Sequence, residues 1–396
     1  MRIDLELTEK QRELVKMAED LAQVFSVNAS EYDRENQVPI GNFRLFRQSP
    51  LLTLSIPERL GGLGGALVDW TLVAEAFGRG CTATALACHM HVAGIGLLMD
   101  SPNTVPDRRK WIADVVVNQQ RIISVGISEP NTLGMISSTF TPEFSARRVE
   151  GGYLLSGEKS FVTNIEGSDM VFIYTKLVNG PAPFGGILLP TDNEGIQVER
   201  WWDTMGMRAT QSQKLICEDV FVSEDYLVQT SEQFLADFFA SKWLGGANAV
   251  YLGLLSALYD AARELLCHKV PKGYSQPVAF HPDIRRRVAE MSMEVDTARL
   301  FTYRAAWYCD HNDSGPEAIE HLLKAKYAVG EGVRRTANHV VNACGMRGMF
   351  KSEPLERMIR DAWTAPVFPL SSDGCASMLG LLAMELNPEE AVDPLA

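Results

Sequence analysis

The sequence predicts an α+β protein in three consecutive parts: an N-terminal helical domain, a central antiparallel β domain and a C-terminal four-helix bundle. Three observations carry this. Apolar residues recur at helical spacing from Leu14 to Phe25, short strand-like runs separated by glycine, proline and asparagine fill the middle, and helical periodicity returns beyond Phe234. The boundaries expected are 1–120, 121–232 and 233–396.

Thr8-Glu9-Lys10-Gln11 has the pattern of a capping box, and Leu14, Ala18, Leu21 and Phe25 follow on one helix face. The loop IPERLGGLGGA, from Ile56 to Ala66, breaks the helices with four glycines. The alanines at 74, 76, 83, 85 and 87 then point to tightly packed helices. Strands are expected at Ile122-Ile123-Ser124-Val125, Met170-Val171-Phe172-Ile173-Tyr174 and Gly186-Ile187-Leu188-Leu189. Ile284, Val288, Met291, Val295, Ala298 and Thr302 trace the clearest C-terminal helix. There is no repeat and no low-complexity linker, so the three parts are expected to pack as one unit.

Among 396 residues, 50 are acidic and 37 basic, a formal charge of −13, and no basic run exceeds Arg285-Arg286-Arg287. Nucleic-acid and anionic-membrane surfaces need concentrated positive charge and are not expected. The seven cysteines are scattered and form no CxxC pair, which suits a reducing compartment. The start lacks a basic segment ahead of an apolar one, and no uninterrupted apolar run approaches the roughly 18 residues of a membrane span. The expectation is a cytoplasmic protein with no membrane segment. His89, His91 and Cys88 do not converge on one helix face, so no metal site is expected, and neither GxSxG nor a strand-borne GxGxxG is present.

The segments that point to chemistry are Gly126-Ile127-Ser128-Glu129-Pro130 and Leu155-Ser156-Gly157-Glu158-Lys159-Ser160-Phe161-Val162-Thr163-Asn164. Alone, the second reads as a hairpin of any β domain. Together with IPERLGGLGG, with Met205-Gly206-Met207-Arg208-Ala209-Thr210 and with Pro354-Leu355-Glu356-Arg357-Met358-Ile359-Arg360-Asp361-Ala362, the set resembles the acyl-CoA dehydrogenase superfamily in order and spacing, over essentially the whole chain.

The resemblance implies that fold and an FAD cofactor, with FMN as the alternative. It places Ile127, Ser128 and Thr163 at the edge of the isoalloxazine and Phe161 against the ring, where fixed hydrogen bonds tune charge on the flavin. The cofactor's diphosphate and adenosine are held in the family partly by a neighbouring subunit, which implies a homodimer or homotetramer. The corresponding places here hold Lys272 (beside Pro271), Tyr274, Asn342 and Gly345. The serine the family keeps near the phosphate and the thioester corresponds to Gly134.

α,β-Dehydrogenation needs a carboxylate to take the α proton. The resemblance places that glutamate at Pro369, and the family's alternative site at Trp243; neither accepts a proton. Asp373, four residues on, is a candidate base, a cofactor contact or part of a helix start, and Asp237 is a weaker candidate. Three functions stay open. The first is a flavin-dependent oxidation of an acyl thioester carried on CoA or a carrier protein. The second is a flavin-dependent monooxygenase or oxidase acting on a non-thioester metabolite. The third is a catalytically incomplete subunit of a heteromer with a homologue.

Overall fold

The computed structural model describes residues 6–130, 142–232, 243–312 and 315–386; Gly134 and Asp237 lie outside them. Helix α1 (Glu9–Glu35) starts on the expected capping box: Thr8 Oγ1 accepts from the Gln11 amide at 3.2 Å, and the Thr8 amide donates to Gln11 Oε1 at 3.1 Å. It ends on Asn36 in the left-handed region. Leu14, Ala18, Ala22, Phe25 and Ala29 are buried along one stripe, while Leu21 is only half-buried. Next come α2 (Ile40–Gln48), α3 (Leu67–Gly80), α4 (Thr82–Asp100) and α5 (Arg108–Val117). Helix α4 is long and apolar enough to cross a membrane by length and composition alone, yet 89% of it is buried inside the protein as a core helix.

Among the described residues, eight strands form one sheet: β1 (Ile123–Gly126), β2 (Ser145–Val149), β3 (Gly152–Val162), β4 (Met170–Val178), β5 (Phe184–Pro190), β6 (Ile196–Glu199), β7 (Gln213–Ser223) and β8 (Leu227–Ser231). The order is β6-β7-β3-β2-β4-β5-β8, with β1 added on β4. Most pairs are antiparallel as expected, but β1 and β2 both run parallel to β4. In β4 the pleat sends Phe172 and Tyr174 into the helical core, and Val171 and Ile173 into the core of the β domain. Both faces of this strand are buried, hence its unbroken apolar run.

The C-terminal part contains α6 (Trp243–His268), α7 (Pro282–His311), α8 (Pro316–Cys344), α9 (Pro354–Ala362) and α10 (Ser372–Ala383). Four of these make the bundle, and short α9 lies beside α6 and α8. On α7, Met291, Val295, Ala298 and Thr302 are buried as the periodicity predicts, while Ile284 and Val288 are only half-buried. The helical parts share one core because α3 and α6 touch backbone to backbone. A Cβ on Gly253 of α6 would lie 2.3 Å from the Glu75 carbonyl and 2.7 Å from the Gly78 Cα, so only glycine permits the approach.

Candidate active site

Where the sheet meets α4, α6 and the segment after α9, a cavity of about 430 Å³ opens. The predicted residues Ile127, Ser128, Phe161, Thr163, Trp243 and Pro369 all line it. Six residues separated by as many as 242 positions in the chain thus converge.

A buried ion pair holds the β side in place. Lys159 Nζ lies 2.5 Å from Glu129 Oε1 and also donates to the Ile127 carbonyl at 3.1 Å. The Glu129 carboxylate accepts from the amides of Glu143 and Phe144, at 2.7 and 3.2 Å. Burial pulls the Lys159 amine down to about 8 while Glu129 opposes the shift. Unmaking one partner would leave a charge in the protein interior, so the pair fixes the Gly126–Pro130 segment to β3. Both residues sit inside the two motifs Gly126–Pro130 and Leu155–Asn164, and an acid in one with a base in the other was the available signal for this pair.

At the far end of β3 the pairing with β7 slips between Lys159 and Val162, and Phe161 takes a φ of +58°. Bulges re-aim side chains. This one turns the Phe161 ring outward, 52% exposed, to within 5.1 Å of the Trp201 ring and 6.2 Å of the Trp202 ring. Beside it runs a chain of hydroxyls. Thr210 Oγ1 donates to the Met207 carbonyl at 2.9 Å, so Ser212 donates to Thr210, and Thr163 in turn donates to Ser212, each at 2.9 Å. Thr163 is left with its lone pairs toward the cavity. An exposed aromatic surface bordered by a polar edge suits a flat heteroaromatic ring, and the residues present fit the flavin that the resemblance implies.

The opposite wall is aromatic. Trp243 stacks on Phe368 with ring centroids 5.5 Å apart and planes at 16°, and Tyr251 meets Phe368 at 5.6 Å. Leu86, Met90, Val125, Thr364 and Val367 complete it. Among the described residues, no aspartate, glutamate, histidine, lysine or arginine lines the cavity. Tyr251, Thr364, Phe368 and Ser212 carry no motif signal, because they reach the site only through tertiary packing.

Asp373 is exposed in the first turn of α10 and is not in the cavity wall. The cap of that helix is Ser371, whose Oγ accepts from the Gly374 amide at 3.1 Å, so the helix start lies slightly ahead of the expected Ser372-Asp373. Lys272, Tyr274, Asn342 and Gly345 are also outside the cavity. All four are exposed near one end of the bundle, where Lys269 Nζ reaches the Cys344 carbonyl at 3.5 Å. Asn342 donates to the Asn338 carbonyl of its own helix at 2.8 Å. His89 and His91 are committed to core hydrogen bonds: His89 Nδ1 accepts from Trp70 Nε1 and His91 Nδ1 from the Ile123 amide, both at 3.0 Å.

Fold and site together define a helix–sheet–helix scaffold with an apolar cavity at the domain junction. Three domain families match it in chain order: Acyl-CoA dehydrogenase, N-terminal domain, over residues 8–116; its middle domain over 124–220; and its C-terminal domain over 238–368. The chain belongs to the acyl-CoA dehydrogenase family. It is 26% identical over 377 residues to YdbM of Bacillus subtilis (strain 168), which carries an acyl-CoA dehydrogenase name, covering 95% of this chain and 98% of that one. Among solved structures, butyryl-CoA dehydrogenase from Megasphaera elsdenii superposes with a TM-score of 0.85 at 20% identity, covering 96% of this chain and 100% of that one. FMN-bound TdsC from Paenibacillus sp. A11-2 superposes with a TM-score of 0.84 at 20% identity, covering 94% and 97%.

Proposed function

We propose that this chain is a flavin-dependent monooxygenase or oxidase acting on an apolar substrate that need not be a thioester. One observation carries the reading. Both positions where the resemblance puts the α-proton base, Pro369 and Trp243, stand in the wall of one aromatic cavity, and no carboxylate lines it among the described residues. A weakly acidic α proton needs a base placed against it.

A bound flavin, held by Ser128, Phe161 and Thr163, would supply two-electron chemistry with O2 as the oxidant. The chain's own residues do the rest. Trp243, Phe368 and Tyr251 hold a flat substrate by ring contact and exclude water, which protects a reduced flavin from unproductive discharge. Phe161 packs on the cofactor ring, and Thr163, Ser128 and the Ser212–Thr210 chain orient its polar edge. TdsC, whose structure holds FMN, is a fold-level parallel for flavin binding alone. FAD remains our reading of the cofactor, with Lys272, Tyr274, Asn342 and Gly345 turned toward the cofactor of a second copy in a homodimer or homotetramer.

Acyl-thioester dehydrogenation is the second reading, favoured by the whole-length match to YdbM. Adding acyl-CoAs and acyl-carrier substrates to the purified coloured protein without oxygen separates the two. No bleaching by thioesters, followed by bleaching with an external reductant and oxygen uptake with substrate hydroxylation, supports the oxygenase. Bleaching by a thioester overturns it, and a colourless protein that binds a homologue leaves the incomplete-subunit reading.

A further inference from the structure

We infer that Tyr251 selects the substrate, its phenolic oxygen accepting a hydrogen bond from an O–H or N–H group carried on an aromatic ring; this rests on the reading of the cavity given above. Tyr251 stands on α6 between Val250 and Leu252, and its side chain is 2% exposed. It is the one ionisable side chain in the cavity lining among the described residues.

The direction of its hydrogen bond is set by its neighbour. Thr364 Oγ1 donates its own proton to the Asp361 carbonyl at 2.6 Å. The Thr364 oxygen, 3.2 Å from the Tyr251 oxygen, therefore takes the Tyr251 proton rather than giving one. Among the described residues Tyr251 has no further hydrogen-bond partner, so its oxygen presents lone pairs as an acceptor. Burial pushes the phenol above its ordinary value, with the Thr364 hydrogen bond opposing and the Asp361 charge adding, so it stays protonated.

The polar groups on the sheet side belong to the cofactor's edge in this reading. The Thr163–Ser212–Thr210 chain lies at the sheet side, and Thr204 Oγ1 donates to the Gly206 carbonyl at 2.8 Å. Around Tyr251 the wall is the Trp243–Phe368 stack. Flat aromatic walls favour a planar ring, and an acceptor left unmet in a closed apolar site costs free energy unless the ligand supplies a donor. The cavity thus discriminates in two steps, by ring shape against the stack and by a donor at the ring's edge.

The test is calorimetric titration of the flavin-loaded protein with 2-naphthol and with 2-methoxynaphthalene, which differ in the O–H alone. The native protein is expected to bind 2-naphthol more tightly. Tyr251→Phe should weaken 2-naphthol about three- to tenfold, the worth of one buried hydrogen bond, and leave 2-methoxynaphthalene unchanged. Thr364→Val frees the Tyr251 proton to turn toward the ligand, so 2-methoxynaphthalene should gain and the preference for 2-naphthol should narrow. Equal loss for both compounds in Tyr251→Phe, or no loss for either, overturns the role of Tyr251 while the aromatic cavity stands. If the native protein binds neither ring compound but binds butyryl-CoA, the cavity reading itself fails.

Discussion

The Met207 amide donates to a carboxylate oxygen of Asp361 at 2.6 Å, tying together two segments 154 residues apart. The other carboxylate oxygen of Asp361 pairs with Arg357 Nη1 at 3.3 Å, with both side chains buried. Gly206 makes the contact possible: a Cβ there would lie 2.3 Å from the Arg360 carbonyl oxygen. Two motifs that are separate in the sequence are therefore joined directly behind the Gly206–Met207 stretch of the cavity lining.

Asp361→Ala strands the Arg357 guanidinium in the interior and leaves the Met207 amide unmet. Breaking a buried pair from one side costs about 3–5 kcal/mol. The urea unfolding midpoint is expected to drop accordingly, and Arg357→Leu added to Asp361→Ala should recover much of the loss. A single variant within about 0.5 kcal/mol of the parent would show that the link holds nothing together.

Stability should fall on acidification through two histidines. His91 Nδ1 accepts from Ile123, so Nε2 carries the proton and donates to the Leu52 carbonyl at 2.9 Å; a second proton has nowhere to go. Burial pulls His89 down to about 3 and His91 to about 4, against about 6.5 in the unfolded chain. Between those values the unfolded chain binds more protons than the folded one. Their contribution is complete above pH ~6.5 and is lost as pH falls, at up to about 1.4 kcal/mol per pH unit for each histidine. Urea midpoints measured from pH 7 down to 4.5 should decline, less steeply in His91→Gln, and an identical slope in that variant contradicts the assignment.

Thr163→Val removes the terminal hydroxyl of the Thr163–Ser212–Thr210 chain. Flavin retention should weaken about tenfold, with Thr163→Ser close to the parent. Flavin release followed by fluorescence is the readout, and equal release from the valine and threonine proteins would remove Thr163 from the cofactor edge.

Asp373→Asn is expected to leave turnover intact, since Asp373 is exposed on α10 outside the cavity wall. Ser371→Ala should instead cost about 1 kcal/mol by removing the cap. Turnover abolished by Asp373→Asn alone would make the carboxylate a base after all.

Much of this fold is legible along the chain, because local patterns encode it. The Thr8–Gln11 capping box, the Met291-Val295-Ala298-Thr302 face and the apolar runs of β1, β4 and β5 each express a periodicity that burial enforces. The two parallel pairings to β4 are not legible, since a strand's composition does not name its neighbour's direction. The shape of the cavity also lies beyond pattern. Tyr251 and Phe368 look like ordinary core residues until α6 and the segment after α9 are brought face to face.

By itself, the sequence determined the three-part architecture, and its motifs singled out Ser128, Phe161, Thr163, Pro369 and Trp243 as residues that the family resemblance places at one site. Residue identity and spacing along one chain suffice for such statements. Only the tertiary structure decided that Pro369 and Trp243 share one wall, that Asp373 stands outside it, and that Thr364 turns the Tyr251 oxygen into an acceptor. Those facts depend on which atoms approach across long stretches of chain, and hydrogen-bond direction is set by a neighbour's neighbour, which linear order does not contain.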